Sequence, residues 1–441
     1  MLESMLNAFR APDIRRRLLF VLVILVIYRA LAHVLIPGIN PALLKSGASD
    51  NGFFGLLSLF SGGDIKRMSI VGLGLNPYIN ATIIMQILQS TIPSLQALSR
   101  EGEYGRNKIT SYSRWLSVPL AALQAYGILS YIQVQELGTG GSGINPYLVS
   151  FSFEKYESLS MILALTVGSV LLMWLGELIT EKGIGNGISF IIFAGIVARV
   201  PAVVGSFLNS PDWLELFAFG IVGLVIIFVI IFVQEGQRRI PIQYANRVRG
   251  HRIYQGGSTF LPLRVNMAGV IPIIFAISIL MFPAQIATYF TASANGVVHD
   301  ISVGIVSWLS TTGPLYMTLY FLLTFAFAFF YTFIVFKPDE TANNLRKAGG
   351  FIPGIRPGAP TEEYLRRVAL RITVAGALFV ACIAVLPMLV SALPMFTNLQ
   401  SSTGGVAIGG TSVLIVVSVV VETMKQLEAQ LMMRSYEGFI R

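Results

Sequence analysis

The sequence predicts an all-α polytopic membrane protein of ten transmembrane helices in two inverted, pseudo-symmetric five-helix halves, with a short re-entrant helix. The first observation is composition, since the 441 residues are 54% hydrophobic and only 12% charged, with a mean hydropathy of +0.71. This composition excludes a soluble globular domain. The second is the recurrence of apolar runs of about 20 residues, each long enough to cross a bilayer as a helix. The third is a glycine–proline pattern that both halves share.

The apolar runs place the ten spans. They fall near residues 18–36, 70–92, 114–134, 158–178, 187–207, 214–234, 267–290, 314–336, 368–390 and 409–427. The first run is predicted to stay as a span, because a secretory signal has a shorter apolar core and a small-residue cleavage site. Five spans fall in residues 1–208 and five in 209–441. Because each half has an odd number of spans, the two halves would have opposite orientations in the membrane.

Basic residues set the predicted orientation. With a cytosolic N-terminus, the cytosolic segments hold 25 of the 31 lysines and arginines, so the positive-inside rule places both termini in the cytosol. The net charge of +9 also suits nucleic-acid binding. Topology together with attraction to anionic lipid explains most of these basic residues without nucleic acid.

Two predicted cytosolic loops, 235–265 and 337–367, are longer than a connection between helices needs. Alternation in the first, on both sides of Arg249-Gly-His-Arg252, predicts a basic hairpin. The second contains FIPGIRPG at 351–358, where two prolines and two glycines leave Arg356 few conformations. Such a loop is suited to present a contact surface. The alternative is that both loops are solvated connectors.

On the opposite side, Phe53–Phe60 is apolar but far too short to span. Because lipid cannot satisfy free backbone groups, a half-helix here is either re-entrant or buried against other helices. The alternative is an interfacial helix lying flat on the membrane.

The repeat pairs Gly74-Leu-Asn-Pro77-Tyr-Ile79 with Gly269-Val-Ile-Pro272-Ile-Ile274, each in the second span of its half. Helices interrupted in this way point to the functional interface of pseudo-symmetric transporters. Each proline is expected to free a backbone carbonyl, which is tolerable where the helix lines a cavity.

Aliphatic pairs four residues apart lie on one helix face in two of the spans. Leu75 and Ile79 form one pair, and Ile188 and Ile192 form the other, after the glycine-rich stretch 183–187, which is predicted to be a flexible entry. Lipid contact or helix packing is the ordinary role of such residues. Lining a pore is the alternative.

The sequence lacks the signatures of an enzyme or a coupled carrier. It has no G-x-x-x-x-G-K phosphate loop, no H-E-x-x-H and no G-x-S-x-G. Its three histidines show no ligand spacing and its one cysteine cannot form a disulfide within the chain, so no metal or other cofactor is expected. An ion-coupled carrier would need a chain of acidic groups at mid-membrane, and an intramembrane protease would need a pair of aspartates there. The predicted spans contain neither. A passive conduit therefore ranks above a small-solute transporter and above a hydrolase.

Several stretches resemble the bacterial SecY family of protein-conducting channels, and the resemblance covers nearly the whole chain. They are FSGG at 60–63, GLGLNPYI at 72–79, EGEYGRNKITSYSR at 101–114, WLGELITEKGIGNGIS at 174–189, NMAGVIPIIFA at 266–276, FIPGIRPG at 351–358 and GGTSVLI at 409–415. The resemblance implies two five-helix halves around an hourglass pore that passes unfolded polypeptide and releases apolar segments into lipid.

The resemblance also assigns roles to individual residues. The pore ring would comprise Leu75, Ile79, Ile188, Ile192, Ile274 and Ile415, with leucine departing from an all-isoleucine ring. The plug, near residues 52–63, would include Phe53, Leu57, Phe60 and Gly62. The lateral gate, where a signal sequence meets lipid, would include Pro77, Gln86 and Pro272.

The resemblance further implies partners and a location. The cytosolic loops would bind the SecA motor ATPase or the ribosome through Arg239, Arg249, Arg252 and Arg356. His251 stands where a second tip arginine is expected, which would add sensitivity to pH near neutrality. The small membrane subunits SecE and SecG, signal sequences, nascent chains and membrane lipids complete the implied contacts. The location would be the bacterial cytoplasmic membrane.

Overall fold

The structure, a computed structural model, is mostly helical and describes residues 12–37, 68–137, 156–198, 200–201, 205, 213–244, 247–249, 252–254, 257–290, 296–309, 313–391 and 410–440. The helices are α1 (Pro12–Leu31), α2 (Asn76–Thr91), α3 (Pro93–Arg100), α4 (Glu103–Leu137), α5 (Tyr156–Lys182), α6 (Gly187–Val197), α7 (Trp213–Glu235), α8 (Ile271–Phe290), α9 (Gly296–Trp308), α10 (Pro314–Val335), α11 (Pro338–Lys347), α12 (Ala359–Ser391) and α13 (Gly410–Ile440). The strands are β1 (Gln237–Tyr244), β2 (Arg247–Arg249), β3 (Arg252–Tyr254), β4 (Ser258–Arg264) and β5 (Gly350–Phe351).

Every predicted span overlaps one of these helices, but not all of them are long, apolar helices. Within the described ranges, three helical stretches are long and apolar enough to cross a membrane, namely Ser158–Lys182, Pro314–Lys347 and Ala359–Leu386. Shorter apolar helices occupy three other predicted spans, at Gly187–Val197, Gly220–Glu235 and Ile271–Met281. The count of ten transmembrane helices therefore stays a prediction.

The two proline-containing repeats are helix starts, which corrects the prediction that each proline interrupts a helix. Pro77 and Pro272 lie in the first turns of α2 and α8, where a missing N–H costs no intrahelical hydrogen bond. Gly74 and Gly269 precede them with φ of +61° and +65°, a left-handed conformation that glycine adopts without steric cost. Helices α2 and α8 therefore begin in the same way, with a glycine at positive φ followed three residues later by a proline.

Polar side chains bind the carbonyl of each of these glycines. The Ser169 hydroxyl of α5 donates to the Gly74 carbonyl at 3.1 Å. In the second half, the Asn266 side chain donates to the Gly269 carbonyl at 3.2 Å and accepts from the Gly269 N–H at 3.0 Å. Both turns are thus fixed by hydrogen bonds, although through different partners.

The helices pack into two groups that meet along two seams. In the first group α2 packs on α4, α4 on α5, and α5 on α1 and α6. In the second group α8 packs on α10, α10 on α12, and α13 on both α7 and α12. One seam between the groups is formed by α8 against α2 and α4, and the other by α13 against α6.

The two long loops fold together into one unit, here called the loop domain, which consists of β1, β4, β5, α11 and the start of α12. Strand β1 pairs antiparallel with β4, from Gln237 opposite Arg264 to Gln243 opposite Ser258. Its end also pairs with β5 of the other loop, through Tyr244 and Gly350. The buried side chains of this unit form an apolar cluster of their own: Ile240, Ile242, Leu263, Ala342, Leu345, Ile352, Leu365 and Val368. The sequence predicted two separate loops, and neither this pairing nor α11 was expected.

We expect Leu365→Ala to loosen the loop domain selectively. Leu365 is fully buried in the cluster, and removing a buried leucine side chain costs about 2–5 kcal/mol. Amide hydrogen exchange along β1 and β4 should therefore accelerate while exchange in α5 stays unchanged. Leu370→Ala is the matched control, because Leu370 lies on the same helix but is 38% exposed. Equal exchange in both variants would contradict a separate core.

Candidate pore constriction, seams and partner surface

The six predicted ring residues lie near helix starts. Leu75 precedes the first turn of α2 and Ile79 lies within that turn. Ile274 lies in the first turn of α8 and Ile415 in the second turn of α13. The remaining two, Ile188 and Ile192, occupy the first two turns of α6. The ring thus draws on four helices, two from each packed group.

The structure brings all six side chains into one apolar cluster that spans both groups. Five of them are buried and Ile188 is partly buried. The same cluster contains residues without a predicted pore role, such as Tyr28 and Leu129. Membership in the cluster therefore does not separate a ring from ordinary packing, and the ring stays a prediction.

The glycine-rich entry to α6 is closely packed, which gives its glycines a different role from the predicted flexibility. A Cβ added to Gly187 would lie 1.8 Å from the Gly176 carbonyl oxygen of α5, so only glycine allows this approach of the two helices. Asn186 caps α6, accepting hydrogen bonds from the N–H groups of Ile188 at 3.1 Å and Ser189 at 3.4 Å. These contacts fix where α6 presents its isoleucines.

The predicted gate residues lie on the helices of the first seam. Pro77 and Pro272 are buried at the starts of α2 and α8, which contact each other. Gln86 on α2 is partly buried, and its Oε1 has no hydrogen-bond partner among the described residues. The Nδ2 of Asn76, at the start of the same helix, also has none there. A buried polar atom without a hydrogen-bond partner lowers the free energy of unfolding by about 1–3 kcal/mol.

Helix α10 carries a stripe of buried hydroxyl groups that is not among the sequence predictions. Tyr316, Tyr320 and Thr324 recur every four residues on a buried face, and their hydroxyl oxygens have no partner among the described residues. The two tyrosine rings stack at 6.0 Å between centroids. This helix packs between α8 and α12. The spacing in PLYMTLYFLLTF is the signal that would have revealed the stripe.

A second missed feature joins two of the stretches that carried the family resemblance. Arg114, the last residue of EGEYGRNKITSYSR, donates from Nε to Oε1 of Glu177 in WLGELITEKGIGNGIS at 2.7 Å. The pair ties α4, which lines the first seam, to α5 behind it. The two residues lie 63 positions apart in the chain, so no local pattern of the sequence predicts the pair.

The predicted plug, residues 52–63, lies outside the part of the chain that the structure describes. Phe53, Leu57, Phe60 and Gly62 lie outside the described residues, as does His251 at the tip of the first loop.

The arginines predicted to contact a partner belong to the loop domain or to the hairpin that extends from it. Arg239 lies on the exposed face of β1, whose alternate residues Ile240 and Ile242 are buried. Arg249 and Arg252 are cross-strand partners in the β2–β3 hairpin. The predicted basic hairpin is therefore present.

Arg356 is exposed on a loop that the loop domain holds on both sides. Before it, Ile352 is buried in the domain's cluster and accepts a hydrogen bond from the N–H of Ile355 at 3.0 Å. After it, the Thr361 hydroxyl donates to the Arg356 carbonyl at 2.8 Å. Gly354 and Gly358 have φ of +80° and +110°, so both turns need glycine. The loop therefore presents its arginine from an ordered backbone.

Together these features define a helical membrane protein with an apolar centre between two helix groups and a folded basic domain at one end. The SecY family model matches residues 69–424. The protein translocase subunits SecY of Streptomyces scabiei and Mycobacterium bovis are 44% and 42% identical to the chain, and each alignment covers all of both proteins. The chain belongs to the SecY family.

Solved structures show the same fold at lower identity. A structure described as a protein conducting channel is 18% identical with a TM-score of 0.59, covering 93% of this chain and 91% of the other. Sec61 from the canine ribosome-channel complex is 18% identical with a TM-score of 0.57 and the same coverage. As a member of this family, the chain is a channel subunit of a protein translocase and not an enzyme.

Proposed function

We propose that the chain forms the pore through which a translocase moves unfolded secretory polypeptides, and that it opens sideways to release apolar segments into lipid. The observation that carries this proposal is the first seam. Two helices that begin with the same glycine–proline device, α2 and α8, meet there from opposite packed groups. Their first turns also hold or adjoin three of the six predicted ring residues, so a movement that parts the seam also widens the ring.

The proposed topology has ten transmembrane helices in two inverted halves, residues 1–208 and 209–441. The equivalent starts of α2 and α8 support this repeat. Both termini and the loop domain would lie in the cytosol, following the positive-inside rule. The relatives named above come from Streptomyces and Mycobacterium, which supports a bacterial cytoplasmic membrane.

At rest, the ring of Leu75, Ile79, Ile188, Ile192, Ile274 and Ile415 would exclude ions because it is narrow and apolar. The plug, residues 52–63, would pack against the ring from the outside. One solved structure of similar fold is described as a SecY channel whose plug domain stabilises the closed state. Incoming polypeptide would displace the plug and part the seam.

We expect a cysteine at position 57 to crosslink to one at position 415 in the resting channel. The test uses Leu57→Cys and Ile415→Cys with Cys382→Ser, since Cys382 is the chain's single natural cysteine. A translocating precursor should abolish the crosslink. Leu57→Cys alone in the same background is the control. Rapid labelling of that cysteine at rest by an external, membrane-impermeant thiol reagent would show instead an exposed interfacial helix.

The loop domain and its hairpin would dock the cytosolic partner that drives transport, either the SecA motor ATPase or the ribosome. Support comes from Arg239 and Arg356, which are exposed on the loop domain, and from Sec61 in the canine ribosome-channel complex. The β2–β3 hairpin, in which Arg249 and Arg252 are opposite each other in register, would be part of this docking surface. SecE and SecG would complete the membrane complex.

A further inference from the structure

Helix α9 lies between the ends of two longer helices at one face of the protein. The chain leaves the loop domain at β4, runs along α8, passes through α9 and returns along α10 to α11 in the loop domain. The 20 residues of α8 extend about 30 Å, which matches a bilayer's hydrocarbon core. Helix α9 therefore lies at the membrane face opposite the loop domain. With 13 residues, it is only about 20 Å long and too short to span.

One face of α9 is apolar and uncovered. Its members recur at helical spacing of four, four and three residues: Val297, Ile301, Ile305 and Trp308. Val297 is 74% exposed, Ile301 58% and Trp308 70%. These are high values for large apolar side chains that point the same way.

The other two faces of α9 have different surroundings. Ser302 is buried and donates from its hydroxyl to the Val298 carbonyl at 2.7 Å. Leu309, just after the helix, packs against the main apolar cluster, and the helix contacts α8. A third face carries the exposed polar side chains of His299, Asp300 and Ser307. The helix thus has one face on protein, one that is polar and one that is apolar and exposed.

We propose that α9 is an interfacial anchor, with its Val297–Trp308 face inserted at the boundary between headgroups and acyl chains of the outer leaflet. A helix of this kind, with distinct polar and apolar faces, lies in the plane of the interface. Tryptophan is enriched at that depth because its ring is both apolar and polar. Since α9 packs on α8, the anchor holds the outer end of a helix that forms the first seam. The inference rests on the proposed membrane topology.

The test uses the four tryptophans of the chain. A variant with Trp115→Phe, Trp174→Phe and Trp213→Phe retains Trp308 as its only tryptophan. Reconstituted into phosphatidylcholine vesicles, it should be quenched strongly by lipids brominated near the headgroup end of their acyl chains. Quenching should be weaker with bromines at the chain ends and weak with aqueous iodide.

A second variant separates failure of the anchor from failure of the membrane topology. It retains only Trp174, which is 53% exposed on the apolar stretch of α5, and bromolipids should quench it as well. If Trp174 is quenched by lipid while Trp308 is quenched only by iodide, α9 is in water and the inference is wrong. If neither quencher reaches Trp308, protein covers the face and the inference is also wrong.

Single substitutions in the Trp308-only background test the face itself. Ile301→Ser should remove most of the bromolipid quenching and increase the iodide quenching. Val303→Ser is the matched control, because Val303 is 44% exposed but lies toward the polar face. Equal changes in the two variants would contradict an oriented, lipid-facing side of α9.

Discussion

The Arg356→Glu chain is expected to fold, insert and remain closed at rest, yet to lose transport driven by a cytosolic partner. Arginine can bind carboxylate or phosphate through two parallel hydrogen bonds. Loss of such a contact, worth about 1.5–3 kcal/mol, weakens partner binding about 10- to 160-fold. Arg356→Lys should be intermediate, because it keeps the charge and loses the planar fork. The measurement is import of a secretory precursor into vesicles, beside a binding assay with the motor or the ribosome.

Arg346→Glu is the matched control for this prediction. Arg346 is exposed in the last turn of α11, in the same loop domain, so the substitution changes the net charge equally at a position without an assigned contact. Equal loss of transport in both variants would show that the effect depends on the net charge of the loop domain and not on a contact made by Arg356. Normal transport by the Arg356→Glu variant would show that the loop only connects helices and that the predicted partner contact is wrong.

Ile192→Asn is expected to make the resting channel conduct ions. Ile192 is 1% exposed, and a polar amide there would stabilise water in an otherwise dry constriction. Ile274→Asn should do the same from the other half. Both variants should also accept weaker signal sequences, since the open state becomes less unfavourable. Single-channel recording in planar bilayers measures the resting current.

Ile191→Asn is the control that distinguishes a pore wall from a damaged core. Ile191 is the neighbouring residue on α6 and is also buried, but it is not a predicted ring residue. This variant should lose stability without conducting. Currents at the level of the unmodified channel in both ring variants would contradict the apolar seal.

The apolar runs of the sequence predict where helices form, since every predicted span overlaps a helix of the structure. Their ends were harder to place. Helices α4 and α12 begin well before the predicted spans at 114 and 368, since helices continue into water where polar contacts support them. Arg367 and Glu363, one turn apart and 2.7 Å from each other, are such a contact in α12.

The sequence predicts a functional role for the Gly-x-x-Pro repeat, with each proline interrupting a helix. In the structure each proline instead lies at the start of a helix. Proline in a helix interior breaks a hydrogen bond, whereas proline in the first turn does not. Only the backbone shows which case applies, through the positive φ of Gly74 and Gly269.

The features that the sequence did not predict depend on pairing between distant segments. Local patterns cannot show that Tyr244 pairs with Gly350 or that Arg114 reaches Glu177, since each partner lies far away in the chain. Two of the predicted ring residues, Ile274 on α8 and Ile415 on α13, rest on the family resemblance and not on spacing.

The central claim is that polypeptide passes between the two helix groups, through the aliphatic ring. The most direct measurement places a photoreactive amino acid at position 192 and, separately, at position 230, and stalls a secretory precursor during transport. Ile230 is also fully buried in the main cluster but lies on α7, with no predicted pore role. The precursor should crosslink to position 192 only, and only while it is stalled. Equal crosslinking at both positions, or none at 192, would contradict a path through the ring.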